Sequence, residues 1–254
     1  MAKRKDASNQ IALFSNAVPN GSSTSRLRRS LFIPAFLRDE ARKRAHLYGD
    51  DLDRAHAILK KWAELAARGA LARKETSLDA EFLRAVFTDG LGYSPFTEGT
   101  AQYHLERQFS VPGAGTADGA LGIFTAGQPV LPVALIELKS ADVNLDTDRF
   151  NGRTPVQQLW DYLNAVPECP WGVLSNFISF RLYHRDHGSR AFELFTLVEL
   201  TRPERFWEFY HLFGPGGLLP TRSDPTPRAL ALLARTGERQ REVGDELYTA
   251  YSTN

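Results

Sequence analysis

Apolar and polar positions recur with two different periods along this chain, and the change of period divides it into predicted elements. Between residues 35 and 73, apolar side chains recur every three or four positions, which predicts helix. The stripe consists of Leu52, Ala55, Ile58, Leu59, Trp62, Leu65 and Ala66. Gly69 is the residue at which this helix is expected to break. A second stripe predicts a helix that ends at the Gly90-Leu91-Gly92-Tyr93-Ser94-Pro95 turn; it consists of Leu78, Phe82, Leu83, Val86 and Phe87.

After this turn the pattern changes to that of short strands bounded by turn residues. The predicted strands cover 103–109, 118–124, 133–139, 171–176, 179–184 and 192–200. The helix after the third strand has an explicit start, with Thr154 as N-cap, Pro155 at the first helical position and Gln157 three residues after the cap. Two more helices are predicted over 203–213 and 226–251. Strands and helices in this order predict an α/β protein.

The composition is that of an ordinary globular protein. The chain has 254 residues, of which 43% are hydrophobic and 24% charged. No apolar run approaches the roughly 20 residues that a membrane helix needs. The single cysteine, Cys169, excludes an internal disulfide and a cysteine zinc site. These features favour a cytoplasmic location with no membrane partner.

Charge is distributed unevenly along the chain. Residues 1–74 hold 16 Lys and Arg against 7 Asp and Glu, a net charge of +9, whereas the remaining residues carry −8. A basic front part joined to an acidic remainder suits a nucleic-acid enzyme, because lysine and arginine neutralise backbone phosphates. Solvated basic helices would give the same asymmetry, so charge alone leaves both interpretations open.

The candidate chemistry lies in two neighbouring predicted strands. Asp118 opens one, within Ala117-Asp118-Gly119-Ala120, and Glu137 and Lys139 lie in the next, after the apolar run Val133-Ala134-Leu135-Ile136. Strand side chains alternate faces, so Glu137 and Lys139 point the same way. Charges on so apolar a strand need a partner or an ion. If the two strands pair, two carboxylates and a lysine converge, which suits a divalent cation and a phosphate.

This arrangement resembles the PD-(D/E)XK nuclease superfamily, whose pattern is an aspartate, a hairpin and then Glu-x-Lys. The similarity covers roughly residues 60 to 215. Gln158 and Tyr162 resemble the Gln-x-x-x-Tyr helix of type I and type IIG restriction enzymes, and residues from Glu75 to Leu91-Gly92-Tyr93 resemble the helix and turn that precede the first strand. Trp171 to Phe177 and Phe180 to Tyr183 are similar to the two strands that follow. Ala117 departs from the pattern, which has proline there.

The resemblance implies a restriction-endonuclease-like core, with a central mixed sheet flanked by helices and helical extensions at both ends. It also implies Mg²⁺, with Mn²⁺ as a substitute, held by Asp118, Glu137 and the backbone carbonyl of Leu138. Lys139 would position or help deprotonate the attacking water and offset phosphate charge. Gln158 would reach the metal water or the scissile phosphate.

Further candidate residues lie on the helix that starts at Thr154 and on the helix before the first strand. Gln157 fills the capping-box position and is expected to be structural, whereas Gln158 and Tyr162 share one helix face. Tyr162 is expected to pack in the core. Glu75 and Glu81 are both candidates for the additional helix carboxylate found in many relatives. A solvated acid near the start of a helix would explain either equally well.

The expected organisation has four parts: a flexible basic tail over 1–29, a helical extension over 30–74, the nuclease core over 75–215 and a helical connector over 216–254. The resemblance implies Mg²⁺-dependent cleavage of double-stranded DNA by the nuclease domain of a type IIG-like restriction-modification enzyme. A methyltransferase and a target-recognition domain would then act in cis or as a separate subunit, and a transient dimer could cut both strands. The alternatives are a standalone defence or repair nuclease, and a non-catalytic DNA-binding or assembly module that keeps the fold.

Overall fold

The computed structural model describes the backbone of residues 28–71 and 75–252, with side chains for 28–71 and 78–251. Nearly all of the predicted tail over 1–29 lies outside these residues. The helices before the sheet are α1 (Pro34–Ala45), α2 (Gly49–Ala67) and α3 (Glu75–Phe82), which continues as a π-helical segment (Leu83–Gly90). The predicted stripe of α3 and its continuation is buried at all five positions, from Leu78 to Phe87.

Within the described residues, six strands form one mixed sheet in the order β1-β2-β3-β4-β5-β6. They are β1 (Gln102–Val111), β2 (Gly115–Thr125), β3 (Ala134–Leu138), β4 (Trp171–Ser175), β5 (Ser179–His184) and β6 (Phe192–Thr196). Only β3 and β4 are parallel among these neighbours. Parallel neighbours need a long crossover, and helix α4 (Pro155–Ala165) supplies it.

Helices cover both faces of the sheet. On one face α4 buries Leu159 and Leu163 against Leu135 and Leu174 of the central strands. The other face carries α1, α2, α3 and the later helices in a larger core. Those later helices are α5 (Leu197–Leu200), α6 (Pro203–Phe213), α7 (Pro215–Leu218) and α8 (Arg228–Ser252). The protein is therefore α/β, with a mixed sheet between helical layers, as the sequence predicted.

Two predicted elements differ from the structure. The helical region over 35–73 is two helices, because the chain turns at residues 46–48 and Gly49 has a φ of 52°, a conformation that glycine adopts without strain. The strand predicted over 192–200 ends at Thr196. There the Thr196 and Glu199 side chains form a capping box that starts α5.

The predicted extension and the start of the predicted connector pack into the same core as the central part. Leu37 of α1 and Leu59 of α2 belong to the cluster that contains Ile136 of β3, and so do Leu218 and Leu232 near the chain's end. The boundaries at 74/75 and 215/216 therefore do not separate independent cores. From residue 238 to 251, by contrast, α8 is exposed at every position.

Over residues 28–71 and 75–252, the structure contains no helix with both the length and the apolar character needed to cross a bilayer.

The contact between α4 and the sheet allows a first prediction. A Cβ atom on Gly172 of β4 would lie 2.9 Å from Leu159 Cδ2 and 3.1 Å from Leu163 Cδ1. We expect Gly172→Ala to lower the free energy of unfolding by about 1–3 kcal/mol, as overpacked cores do. Gly237→Ala on α8 is the matched control, because nothing lies within 4 Å of its added Cβ; it should be neutral or stabilising. Urea unfolding followed by circular dichroism measures both, and equal effects would contradict this packing.

Candidate active site

The pairing of β2 with β3 brings the two predicted carboxylates together. Gly119 lies opposite Ile136 in this antiparallel pair, so the same register places Asp118 beside Glu137. Asp118 is half-buried and Glu137 is 1% exposed. The two strands thus converge at the point that the sequence pattern indicated.

The orientation of Asp118 is fixed by the backbone of the neighbouring strand. Its Oδ2 accepts a hydrogen bond from the Leu138 amide at 2.7 Å. The next amide, that of Lys139, donates in the opposite direction, to the Ser175 carbonyl at 2.8 Å. Because the N–H and C=O of one strand residue face the same neighbour, the Leu138 carbonyl is directed to the edge where Asp118 lies.

Glu137 and Lys139 form a buried ion pair. Lys139 Nζ donates to Glu137 Oε1 at 2.5 Å, and Lys139 is 6% exposed. Removing one member of a buried pair costs about 3–5 kcal/mol, because the other charge stays desolvated. We call Asp118, Glu137 and Lys139 the carboxylate–lysine site.

Helix α4 borders this site through a tyrosine. Gln158 Nε2 donates to the Tyr162 hydroxyl at 2.7 Å, and that hydroxyl donates to the Thr116 carbonyl at 2.9 Å. Thr116 lies two residues before Asp118, so this chain of bonds fastens α4 to the start of β2. Burial raises the pKa of Tyr162, the bond from Gln158 opposes this, and the charge of Glu137 raises the pKa further. Tyr162 is buried, as expected, and stays a hydrogen-bond donor.

The start of α4 follows the predicted capping box. The Thr154 hydroxyl accepts from the Gln157 amide at 3.2 Å, and Gln157 Oε1 accepts from the Thr154 amide at 2.9 Å. Gln157 is exposed, whereas Gln158 is half-buried on the face that meets β2. The two adjacent glutamines therefore have different contacts, as the sequence predicted.

The polar segment 140–153 is fastened to the sheet. Arg181 of β5 donates to both carboxylate oxygens of Asp146 at 2.7 Å, and the side-chain Nδ2 of Asn176 donates to the Val143 carbonyl at 3.1 Å. Leu145 is buried between these contacts. The segment ends in a tight turn that holds Phe150, whose ring centroid lies 5.6 Å from Lys139 Nζ.

Glu75 and Glu81 are the two candidates for an additional helix carboxylate. The Glu75 side chain lies outside the described residues. Glu81 is exposed on α3. Within the described part of the chain, no three His, Cys, Asp or Glu side chains form a cluster that could hold a metal ion. The structure therefore does not place Glu81 beside Asp118 and Glu137.

The donor chemistry nevertheless fits a divalent cation of the magnesium type. Two carboxylates converge, and a peptide carbonyl is directed to the same edge. Mg²⁺ is bound in proteins by one or two carboxylates while substrate phosphates and water complete its octahedral shell. A third protein carboxylate is not required.

Sequence reasoning missed the contacts that build the border of the site. Tyr162 was expected to pack, and its bond to the Thr116 carbonyl was not foreseen. The predicted strands and helices leave 140–153 without regular structure, although Asn151-Gly152 is a strong signal for a two-residue turn. That signal locates Phe150 at a turn but does not indicate the proximity of Lys139.

Comparison with protein families, curated proteins and solved structures finds no match for this chain.

The bonds around the Tyr162 hydroxyl generate the second prediction. Tyr162→Phe should lower the free energy of unfolding by about 0.5–1.5 kcal/mol, because it removes both bonds made by the hydroxyl. Gln158→Ala removes one of the same bonds, so the double variant should lose less than the sum of the single losses. Gln157→Ala removes only a contact of the helix cap, so its loss of unfolding free energy should add to that of Tyr162→Phe. Denaturant unfolding of the three single variants and both double variants tests this, and additive losses for Gln158 and Tyr162 would contradict the shared hydroxyl.

Proposed function

We propose that this protein is a Mg²⁺-dependent endonuclease of the PD-(D/E)XK type that hydrolyses DNA phosphodiester bonds. The observation that carries the proposal is the register of β2 and β3, which brings the half-buried Asp118 beside the buried pair of Glu137 and Lys139. A carboxylate pair with a lysine beside it supplies both negative charge for a cation and positive charge for a phosphate. The restriction-endonuclease-like fold is part of the same proposal, supported by the mixed sheet between helices.

Asp118, Glu137 and the Leu138 carbonyl would hold the cation, which is Mg²⁺, with Mn²⁺ as a substitute. Such an ion polarises the phosphate and lowers the pKa of water, which supplies the nucleophile and stabilises the charge of the transition state. The Leu138 amide holds Asp118 in one orientation before the cation arrives. The protein therefore does not have to reorder this carboxylate on binding.

Lys139 has the second role in this proposal. When cation and DNA are bound, both carboxylates would be ligands of the cation. Lys139 would then release Glu137 and pair with a phosphate oxygen. Water attacks phosphorus, one P–O ester bond breaks, and the proton lost by the water is balanced by the proton gained by the leaving oxygen. Lys139 offsets the phosphate charge and orients the water. Gln158, held by Tyr162, contributes its amide to the same positioning.

DNA is the proposed substrate, and the charge distribution supports it. Residues 1–74 carry a net charge of +9, which favours phosphate contacts. We further propose that the chain acts as the nuclease domain of a type IIG-like restriction-modification enzyme, with methylation and target recognition supplied in cis or by a separate subunit. Cleavage of both strands would then use a transient dimer. A standalone defence or repair nuclease would use the same residues.

One observation favours a non-catalytic module. The charges of Glu137 and Lys139 already compensate each other within the protein, as they would in a structural ion pair. A nicking assay separates the two functions.

The third prediction is loss of cleavage in isosteric variants. Asp118→Asn, Glu137→Gln and Lys139→Met each remove one charge with little change of volume. Each should reduce Mg²⁺-dependent nicking of supercoiled plasmid by at least about 100-fold, as expected when a contribution of several kcal/mol to the transition state is lost. EDTA should abolish nicking by the wild type. Glu137→Gln and Lys139→Met should also lower the free energy of unfolding by about 3–5 kcal/mol, so circular dichroism spectra are compared with that of the wild type below the unfolding transition, where they should match.

Asp245→Asn on the exposed part of α8 is the control for loss of a carboxylate. It should leave nicking unchanged. Retained nicking in folded Glu137→Gln would sink the proposed site, and absence of nicking in the wild type with every divalent cation would favour the non-catalytic module.

The fourth prediction concerns metal binding without catalysis. Mg²⁺ and Ca²⁺ should raise the melting temperature of the wild type, because a ligand at 100 times its Kd stabilises the folded state by about 2.7 kcal/mol. Asp118→Asn should respond much less. Ca²⁺ should not support cleavage, because its looser coordination activates water poorly. Melting curves in EDTA, Mg²⁺ and Ca²⁺ measure this, and equal shifts in both proteins would mean that Asp118 is no ligand.

A further inference from the structure

Phe150 is an exposed aromatic residue at the border of the carboxylate–lysine site. Its ring centroid lies 5.6 Å from Lys139 Nζ, yet the residue is 40% exposed. Lys139 is buried, so the exposed surface of the ring is not directed at the ammonium group. A single exposed aromatic residue is ordinary on a protein surface. The position of this one is held by a hydrogen-bonded turn and by two ion pairs of the same segment.

The backbone of Phe150 is held by a tight turn. Its amide donates to the Arg153 carbonyl at 2.8 Å, and the Arg153 amide donates back to the Phe150 carbonyl at 3.1 Å. The two residues between them, Asn151 and Gly152, have φ values of 51° and 81°. Positive φ at both central residues is the geometry that favours Asn-Gly. The turn therefore fixes the direction in which the Phe150 side chain leaves the backbone.

Ion pairs attach this turn and the segment before it to α4 and β5. Arg153 is paired with Asp161 of α4 at 2.8 Å, and the bidentate contact of Arg181 with Asp146 holds the preceding segment on β5. Arg149 is exposed and donates to the Gly152 carbonyl at 2.8 Å, which leaves further guanidinium donors for an anion. A partly exposed aromatic ring and an exposed cation thus follow one another in the turn that borders the site.

An aromatic face next to a cation is the arrangement by which proteins bind unpaired nucleotides: the base stacks and the cation meets the phosphate. We propose that Phe150 is a nucleobase-stacking site, with Arg149 as its phosphate contact, for a base that has left the helical stack next to the bond to be cut. The inference rests on the proposed function, which it deepens by naming the local form of the substrate. Strands with unpaired or splayed bases near the cut are then the preferred substrates.

Covering Lys139 does not by itself require this arrangement. An aliphatic side chain would shield the ammonium group, but it offers no flat face to a base. Leucine and tryptophan at position 150 therefore separate the two roles, since leucine retains cover without stacking and tryptophan retains both.

The experiment measures binding and stacking apart from cleavage. Wild type, Phe150→Leu, Phe150→Ala and Phe150→Trp are titrated in Ca²⁺ with a fluorescently labelled single-stranded oligonucleotide and with its duplex. A second oligonucleotide carries 2-aminopurine, whose fluorescence falls when the base stacks. Loss of one base–aromatic stack should weaken single-strand binding by about 5- to 150-fold. Phe150→Leu and Phe150→Ala should lose both this affinity and the quenching of 2-aminopurine. Phe150→Trp should bind and quench as the wild type does.

Phe96→Ala is the matched control. Phe96 is a 60% exposed aromatic residue that packs on Tyr103, and Tyr103 pairs with Phe124, six residues along β2 from Asp118. That separation is about 20 Å at the rise of a strand. This variant should bind and quench as the wild type does.

The outcomes separate this inference from the proposed function. If the wild type nicks plasmid while Phe150→Ala and Phe150→Leu bind and quench normally, the stacking site is wrong and the nuclease stands. If Phe150→Leu is normal and only Phe150→Ala is impaired, the ring serves as cover for Lys139 and the stacking site is equally wrong. If the wild type neither binds DNA nor nicks it, both proposals fall.

Discussion

The hydrogen bond from the Leu138 amide to Asp118 is the contact on which the site depends. It lies where the backbone pairing of β2 with β3 ends. There the Asp118 side chain, rather than a backbone carbonyl of β2, accepts the hydrogen bond from the Leu138 amide. Because a shift of register by one residue would turn every side chain of β3 to the other face, this contact and the buried ion pair of Glu137 and Lys139 specify the same register. A slipped strand would leave a charge buried in the core on the far side of the sheet.

Two parts of the chain outside β2 and β3 border the site and contact the sheet. Helix α4 begins at a capping box, packs its leucines closely on Gly172 and reaches β2 through Tyr162. On the other side, the segment 140–153 is tied to β5 and brings Phe150 over Lys139. Helix α4 thus links β2 to β4 across β3, and the segment 140–153 links the end of β3 to β5 across β4.

Local signals predicted much of this from sequence. The capping box at Thr154, the apolar stripe from Leu78 to Phe87 and the convergence of Asp118 with Glu137 each follow from residues a few positions apart or from one simple pairing. The break before Gly49 and the end of β6 at Thr196 were missed, because helical periodicity continues across the first and apolar residues continue past the second. The contact of Phe150 with Lys139 depends on how segment 140–153 docks, which no local pattern encodes.

The most direct measurement of the central claim is a crystal structure of the protein soaked with Mn²⁺, with the ion located by its anomalous scattering. Asp118, Glu137 and the Leu138 carbonyl should surround one ion at about 2.0–2.3 Å, the usual range for hard cations and oxygen ligands. In the same crystal Lys139 Nζ should have moved away from Glu137. An ion bound elsewhere, with the Glu137–Lys139 pair unchanged, would contradict the account.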